Sequence, residues 1–559
     1  MSLLTPIDWV VLSLYFVVLL GIVWWSSRKQ DTKADYFLAG RNVGFFAIGG
    51  SLFASNIGSE HVVGLSGQGA TTGMAMAHWE LHAWVMVLLA WVFVPFYYKA
   101  GVYTVPEFLE RRFNAKVRLV LSVVSLIAYV FTKVSVTVYA GAVVFQTLLP
   151  TTFGSPENAF WVGAFGTVIL TGLYTIFGGL RAVLYTDTLQ AVILLVGSAF
   201  ITAIGLDKLG GWGELQAVAS RHAEQFALWR PLDDPDFPWL GILIASPIVG
   251  IWYWCTDQYI VQRTLSAKNL KTARRGALFG GFLKVWPVFI FLLPGLIGFA
   301  LHEEGLMPFP EDPESGAMAG DRIFPTLVTT LLPVGMRGLV VAGLLAALMS
   351  SLSSLFNSSA SLFTVDIYEK IRPGQSERHL VRVGRIATGV VVALGMLWIP
   401  VMRVISDGGL YQYLQNVQSY LAPPITAVFV LGLFWSRVNA VGALWGLVVG
   451  FVLGMGKMGL EALVGPGKTF EGPASLVWLS EVNFLYFSGM LAAASVVVIV
   501  VASLLTPKPP REKLAGLTFA VASEEVAEEK TWGPVEVVMT VVVLGLVAGV
   551  YLYFSFWLK

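Results

Sequence analysis

The residues best equipped to hold a ligand lie where a membrane-crossing helix has least use for them. Phe53-Ala54-Ser55-Asn56-Ile57-Gly58-Ser59-Glu60-His61 sets an amide, hydroxyls, an acid and an imidazole in the middle of an apolar run from 45 to 73. A continuous membrane helix satisfies its own backbone and gains nothing from such side chains. A helix that breaks at mid-membrane frees carbonyl and N–H groups, which then become binding groups. A second polar centre, Trp252-Tyr253-Trp254-Cys255-Thr256-Asp257-Gln258, interrupts the apolar run 240–262.

Charges inside apolar runs need a reason, because each costs about 2.5–3.5 kcal/mol at a helix centre. Glu80 opens one run and Lys284 lies within another. An interfacial anchor and a snorkelling lysine are the bland accounts; two walls of a wet cavity is the functional one. A carboxylate accepts two hydroxyl hydrogen bonds and an ammonium donates three, so with Asn56, His61 and Gln415 they form a set suited to a polyol. Tyr253, Trp254, Trp79 and Tyr411 could stack on a sugar ring or close over it, although ordinary packing is the default for any one aromatic.

A third constellation is Ala346-Ala347-Leu348-Met349-Ser350-Ser351-Leu352-Ser353-Ser354. At helical spacing, Ala347 and the hydroxyls of 350, 351 and 354 share a face. Small residues also pack helices, with serines bonded back to their own carbonyls. Alternatively, neutral hydroxyls beside the carbonyls of a broken helix suit Na⁺, a hard cation. Composition does not separate the two accounts. Asp187 reads as a helix N-terminal acid or a ligand. Lys133 is left without an assigned partner, and Arg263 with Asp257 is a candidate gate pair.

The elements that must position these groups are membrane helices. Of 559 residues, 56% are hydrophobic and only 13% charged, about half the charged share of soluble domains. Net charge is +1, which gives no electrostatic case for nucleic acid. The single cysteine, Cys255, excludes an internal disulfide and a cysteine metal cluster. The N-terminal run lacks a basic start and a cleavage site, unlike a signal peptide. No nucleophile–base pair or metal set suggests an enzyme.

About fourteen apolar spans are expected, near 7–25, 45–73, 81–98, 117–149, 158–177, 182–206, 240–262, 277–301, 336–366, 383–404, 411–434, 438–460, 483–506 and 535–557. Lys and Arg concentrate in alternate connections, such as Arg28 to Arg41, Arg263 to Arg275 and Lys370 to Arg385, whereas 302–335 is acidic. Basic loops inside predict a multi-pass protein of the cell membrane with both termini outside. Five spans separate the first polar centre from the second, which predicts two five-helix repeats of opposite orientation, each beginning with a broken helix. The organisation is then 1–43, a first helix and cytoplasmic connection; 44–206, the first repeat; 207–239, an outer loop; 240–434, the second repeat; and 435–559, three further helices with a cytoplasmic tether at 507–532.

Several segments in this order resemble the sodium/glucose cotransporters of the sodium:solute symporter family. They include Leu38 to Asn42, Ser51 to Ser59, Lys99 to Phe108, Gly178 to Gln190, Trp252 to Gln258, Phe363 to Tyr368, Tyr413 to Gln415 and Tyr420 to Pro424. The resemblance implies an all-α fold of the leucine-transporter type: an inverted five-helix repeat with one helix before it and three after. It further implies a Na⁺ site from the carbonyls of Ala54, Ile57 and Ala347 and the hydroxyls of Ser350 and Ser351. The sugar contacts it implies are Asn56, His61, Glu80, Tyr253, Trp254, Lys284 and Gln415, with Tyr253 as an inner gate under the sugar; Tyr411, an aromatic able to close the site, is the second gate candidate by residue type. Asp187, Ser353 and Ser354 resemble members that take a second Na⁺. Gly250 departs from relatives that are often polar there, which bears on the preferred hexose.

The expected activity is Na⁺-driven symport of a glucose- or galactose-type hexose through the bilayer by alternating access, with two Na⁺ per sugar. Its alternatives are symport of myo-inositol or another polyol, and a non-transporting sugar sensor of the same fold. A carboxylate or amino-acid substrate fits less well beside Glu80.

Overall fold

The computed structural model describes residues 4–28, 30–58, 60–309, 318–405, 410–464, 470–519, 521 and 532–559, and the side chains of these except 60, 321, 401–405 and 410–413. The described chain is helical, with isolated bridges and no β-strand among the described residues. Helix α1 (Pro6–Ser26) opens on a Thr5–Asp8 capping box. Asp8 also accepts from the backbone N–H of Gly335 and Gly338, at 2.7 and 2.9 Å. One carboxylate therefore caps α1 and fastens it to the start of a helix more than 300 residues away.

The first polar centre breaks its span. Helix α2 (Phe45–Asn56) stops at Ile57 (φ −91°, ψ 87°), and α3 (60–71) resumes as a π-turn running into an α-helix. Helices α4 (Gly73–Ala100) and α5 (Ala115–Leu148) follow. Helix α6 (Pro156–Leu209) has 54 residues, roughly 80 Å if straight, against a bilayer core of about 30 Å. It is broken at Gly179 (φ 53°, ψ −161°), where a Cβ would come within 2.7 Å of the Tyr36 carbonyl. The spans expected at 158–177 and 182–206 fall on either side of that break.

The second polar centre is broken too: α7 (Trp239–Thr256) gives way at extended Asp257 (φ −82°, ψ 125°) to α8 (Gln258–Leu265). Then come α9 (Leu270–Glu303), α10 (Gly320–Leu331), α11 (Met336–Ile371), α12 (Glu377–Ile405), α13 (Leu410–Phe434), α14 (Ala440–Leu463), α15 (Phe484–Leu504) and α16 (Pro534–Phe556). Among the described residues twelve helices are long and apolar enough to cross a bilayer. The expected fourteen differ because α6 counts once despite its break and because α2 and α3 are each too short.

Helix α11 is the most enclosed, with 94% of its apolar window buried, against 22% for α16 and 28% for α1. The helix bearing the serines is thus central, and the first and last helices are peripheral. Close crossings depend on absent side chains. A Cβ on Gly295 in α9 would sit 1.9 Å from the Ser66 carbonyl of α3, and backbone cannot step aside as a flexible side chain can. Gly295→Ala should cost about 1–3 kcal/mol by overpacking, read as a lower thermal midpoint in detergent. An unchanged midpoint would mean that α3 and α9 part freely.

Candidate functional site

The two breaks face each other. Asn56, the last residue of α2, donates through Nδ2 to the Tyr253 hydroxyl at 3.1 Å, and the Tyr259 hydroxyl donates to the Ser55 carbonyl. Between the breaks lies a buried cavity with about 50 Å³ open to water-sized molecules, room for several waters. Asn56, His61, Glu80, Tyr253, Trp254, Lys284 and Gln415 all line it. They come from six helices: α2, α3, α4, α7, α9 and α13. Prolines help shape the walls. Pro287 follows Lys284 by three residues, and α9 loosens into turn and π geometry there, as expected where a ring removes an i→i−4 bond. Tyr253 and Trp254 stand on a π-turn of α7, Ile251–Thr256, which re-aims side chains relative to a regular helix.

Glu80 and Lys284 form an ion pair at 2.5 Å, with side chains 1% and 2% exposed. Neither the interfacial anchor nor the snorkelling lysine describes them. Glu80 Oε1 accepts no hydrogen bond among the described residues and lies 4.0 Å from His61 Nε2. Asn56 Oδ1 and Trp79 Nε1 are likewise buried without a hydrogen-bond partner among the described residues. Each such group costs about 1–3 kcal/mol until paired. Two acceptors and a donor around one cavity match a ligand rich in hydroxyls. The Lys284 ammonium lies 5.7 Å from the Trp254 ring centre, within cation–π range.

Beside this cavity is a hydroxyl-rich cluster. Ala54, Ile57 and Ala347 are fully buried. Ser351 lines the cavity and donates to the Ser55 carbonyl at 3.2 Å, tying α11 to the end of α2. Ser350 donates to Asp187 Oδ1 at 2.7 Å. Asp187 Oδ2 accepts from Ser51 at 2.6 Å and Ser55 at 3.0 Å. Arg263 lies 3.6 Å from that oxygen and donates to Ser51 at 2.8 Å and to Ser354. The two ion groups expected from the sequence are therefore contiguous through Ser350 and Asp187. Ser353 instead bonds back to the Ser350 carbonyl at 3.0 Å, the helix-internal use that small-residue packing anticipates.

The Arg263–Asp257 gate pair is not formed. Arg263 pairs with Asp187, and Asp257 pairs with Lys133 at 2.6 Å. Arg263 lies nearly two turns beyond the break and reaches α6 and α11, whereas Asp257 at the break faces α5. The Tyr411 side chain, proposed as a gate, the Glu60 side chain and residues 522–531 of the tether lie outside the described residues. The start of that linker is packed on the bundle: Phe519 meets the rings of Phe96 and Phe434 at 4.8 and 4.7 Å. Further lining residues, Thr137, Tyr259 and Gln418, were not expected. Helical spacing was the available signal, since Thr137 is one turn from Lys133 and Gln418 three residues from Gln415.

The sequence matches the family model for the sodium:solute symporter family over residues 36–450. It is 41% identical over 556 residues to sodium/glucose cotransporter 4 of Danio rerio, spanning 94% of this chain and 83% of that protein. It is 40% identical over 552 residues to sodium/myo-inositol cotransporter 2 of Oryctolagus cuniculus, spanning 94% and 81%. Among solved structures, a Na⁺-coupled sialic acid symporter in a substrate-bound outward-open state superposes with a TM-score of 0.75 at 23% identity, over 90% of this chain and 99% of that one. The fold is thus that of leucine-transporter-type carriers.

Proposed function

The chain belongs to the sodium:solute symporter family, and from that premise we propose that it is a Na⁺-driven hexose symporter working by alternating access. It is a multi-pass membrane transporter and not an enzyme. The observation that carries the sugar reading is the meeting of the seven sugar candidates on one buried cavity. Its neighbour in space is the ion cluster, and the two share a single short segment. The Ser55 carbonyl is held by Ser351 and Tyr259, and the next residue, Asn56, reaches into the cavity.

Na⁺ takes the carbonyls of Ala54, Ile57 and Ala347 with the hydroxyls of Ser350 and Ser351. Ordering of the α2 terminus then presents Asn56 and His61 to sugar. Because one segment serves both ligands, each must tighten the other by the same factor. Glu80 and Lys284 take sugar hydroxyls, Gln415 a further one, and Tyr253 forms the inner floor. Basic loops face the cytoplasm and both termini face outside. The two five-helix repeats, 44–206 and 240–434, rock about the shared site.

The driving force is adequate. One charge moving through 100 mV yields about 2.3 kcal/mol, and a tenfold Na⁺ gradient adds about 1.4 kcal/mol. Their sum sustains roughly 500-fold accumulation per Na⁺, and two Na⁺ about 10⁵-fold. We expect two Na⁺ per sugar, the second beside Asp187 and Ser354. A stoichiometry of one is the second reading, favoured by the Arg263 guanidinium already at that carboxylate. The reversal potential of sugar-dependent current in proteoliposomes decides between two charges per sugar and one.

The experiment for the function itself is uptake of labelled glucose into proteoliposomes with an inward Na⁺ gradient, competed by galactose, mannose and myo-inositol. Accumulation that collapses when K⁺ replaces Na⁺ is the expected result. Na⁺-independent or absent uptake of every sugar would reject the proposal. Preferred competition by myo-inositol would move the substrate to the cyclic polyols, a reading supported by the similarity to a myo-inositol cotransporter.

A further inference from the structure

Two buried ion pairs border the cavity, and only Glu80–Lys284 has a role so far. The other joins Lys133 of α5 to Asp257 at the second helix break, with side chains 8% and 2% exposed. Lys133 sits in a π-turn, Tyr129–Val134, and the Ser135 hydroxyl reaches back to the Val130 carbonyl at 3.0 Å. Such turns rotate a side chain away from its regular helical direction and recur at functional sites. Here the turn aims the ammonium into a box of rings: Nζ lies 4.8 Å from the ring centres of Tyr253 and Tyr259, 5.1 Å from Trp252 and 5.2 Å from Tyr129.

Asp257 has two tasks. Its backbone carbonyl accepts from Ile260 and Val261 at 3.1 and 2.9 Å, starting α8. Its Oδ1 accepts from the Tyr129 hydroxyl and from the Tyr259 N–H at 3.3 Å, and Oδ2 takes Lys133 at 2.6 Å. The Tyr129 hydroxyl also accepts from that N–H, at 3.1 Å. The cap that ends the break is thus held from outside its own helix by two side chains of α5.

We propose that Lys133 and Asp257 form a clasp: α5 grips the second helix break and thereby positions Tyr253 as the floor of the cavity. Lys133 is a positioning residue, acting through Asp257 and the Tyr253 ring rather than by holding sugar. The floor role rests on the cavity being the sugar site; the clasp itself does not. Opening the floor then requires that the pair part or that α5 travel with α8. A loosened clasp lets the break open without sugar, so Na⁺ leaks while sugar affinity changes little.

The protein carries its own reporter. Cys255, its single cysteine, is fully buried within the break, its carbonyl held by the Tyr97 hydroxyl at 2.7 Å. Labelling of Cys255 by a small membrane-permeant maleimide, in purified full-length protein in Na⁺ buffer, reports whether the break opens. Lys133→Met and Asp257→Asn should label at least tenfold faster than the parent. The double variant K133M/D257N removes the uncompensated charge, so it should regain thermal stability yet still label at least tenfold faster. A Leu19→Ala variant, destabilised at a fully buried position of α1 in a core cluster separate from that of Cys255, should label at the parental rate.

Double-variant labelling within twofold of the parent overturns the clasp, since the pair then only cancels charge. Equally fast labelling of Leu19→Ala overturns it too, since looseness is then global. In proteoliposomes the double variant should move at least twice as many Na⁺ per sugar, with sugar KM within threefold; a large KM rise at unchanged coupling would make Lys133 a sugar contact and overturn the proposal. Absence of Na⁺-driven sugar uptake in the parent would sink the sugar reading alone, because labelling still decides the clasp.

Discussion

Exchange of Glu80 for glutamine is expected to raise the sugar concentration for half-maximal uptake roughly 10- to 150-fold. The reason is the position of its carboxylate. Oε2 is committed to Lys284 at 2.5 Å, while Oε1 is buried without a hydrogen bond among the described residues. A sugar hydroxyl meeting Oε1 makes a charge-assisted bond, worth about 1.5–3 kcal/mol, and the stated fold-change is that energy converted at about 1.4 kcal/mol per tenfold. Glutamine keeps the shape and loses the charge. It also leaves Lys284 a buried cation without its counter-charge, which costs about 3–5 kcal/mol of stability. The two effects separate in the double variant E80Q/K284M, which should regain much of the thermal midpoint but none of the sugar affinity. Wild-type half-saturation in Glu80→Gln would remove this carboxylate from the sugar site.

The second large effect is expected at Asp187. Arg263 is fully buried and Asp187 is its counter-charge. Asp187→Asn should lower stability by about 3–5 kcal/mol through the stranded guanidinium, and D187N/R263M should recover most of that. Na⁺ activation is the separate readout. Asp187 takes the hydroxyl hydrogen of Ser350 and is bonded to Ser51 and Ser55 near the end of α2. Removing its charge disturbs Ser350, a proposed ion ligand, and the only carboxylate proposed for an ion. The Na⁺ concentration for half-maximal uptake should therefore rise at least tenfold in both variants, about 1.4 kcal/mol or more. Unaltered Na⁺ activation in D187N/R263M would show that neither ion site uses Asp187. The reversal potential would then be expected at one charge per sugar.

The sequence by itself determined the membrane-spanning helices and where two of them break. Charges and amides inside spans that must pass through hydrocarbon are costly, so Asn56, Glu80, Lys284 and Asp257 announced themselves without a structure. Two polar interruptions five spans apart marked α2–α3 and α7–α8 as broken helices, and both are broken, at Ile57 and at Asp257. Period and composition carry that information locally. The assignment of Na⁺ and sugar to particular residues came from family resemblance, because hydroxyls at helical spacing serve packing as well as ions.

Only the tertiary structure decided who meets whom. Lys133 and Asp257 are 124 residues apart, and Ser350 and Asp187 are 163 apart. Nothing in either local pattern encodes the approach of α5 to α8 or of α6 to α11. A carboxylate shows in sequence that it needs a cation, but not which one. Asp257 and Arg263 are close in the chain, and their pairing was the natural local guess. Helix geometry turns them to different neighbours, so each charge is neutralised across the bundle. The first polar centre owes its polarity to local sequence, and its partners, Ser351 of α11 and Tyr253 of α7, to the packing of those helices against it.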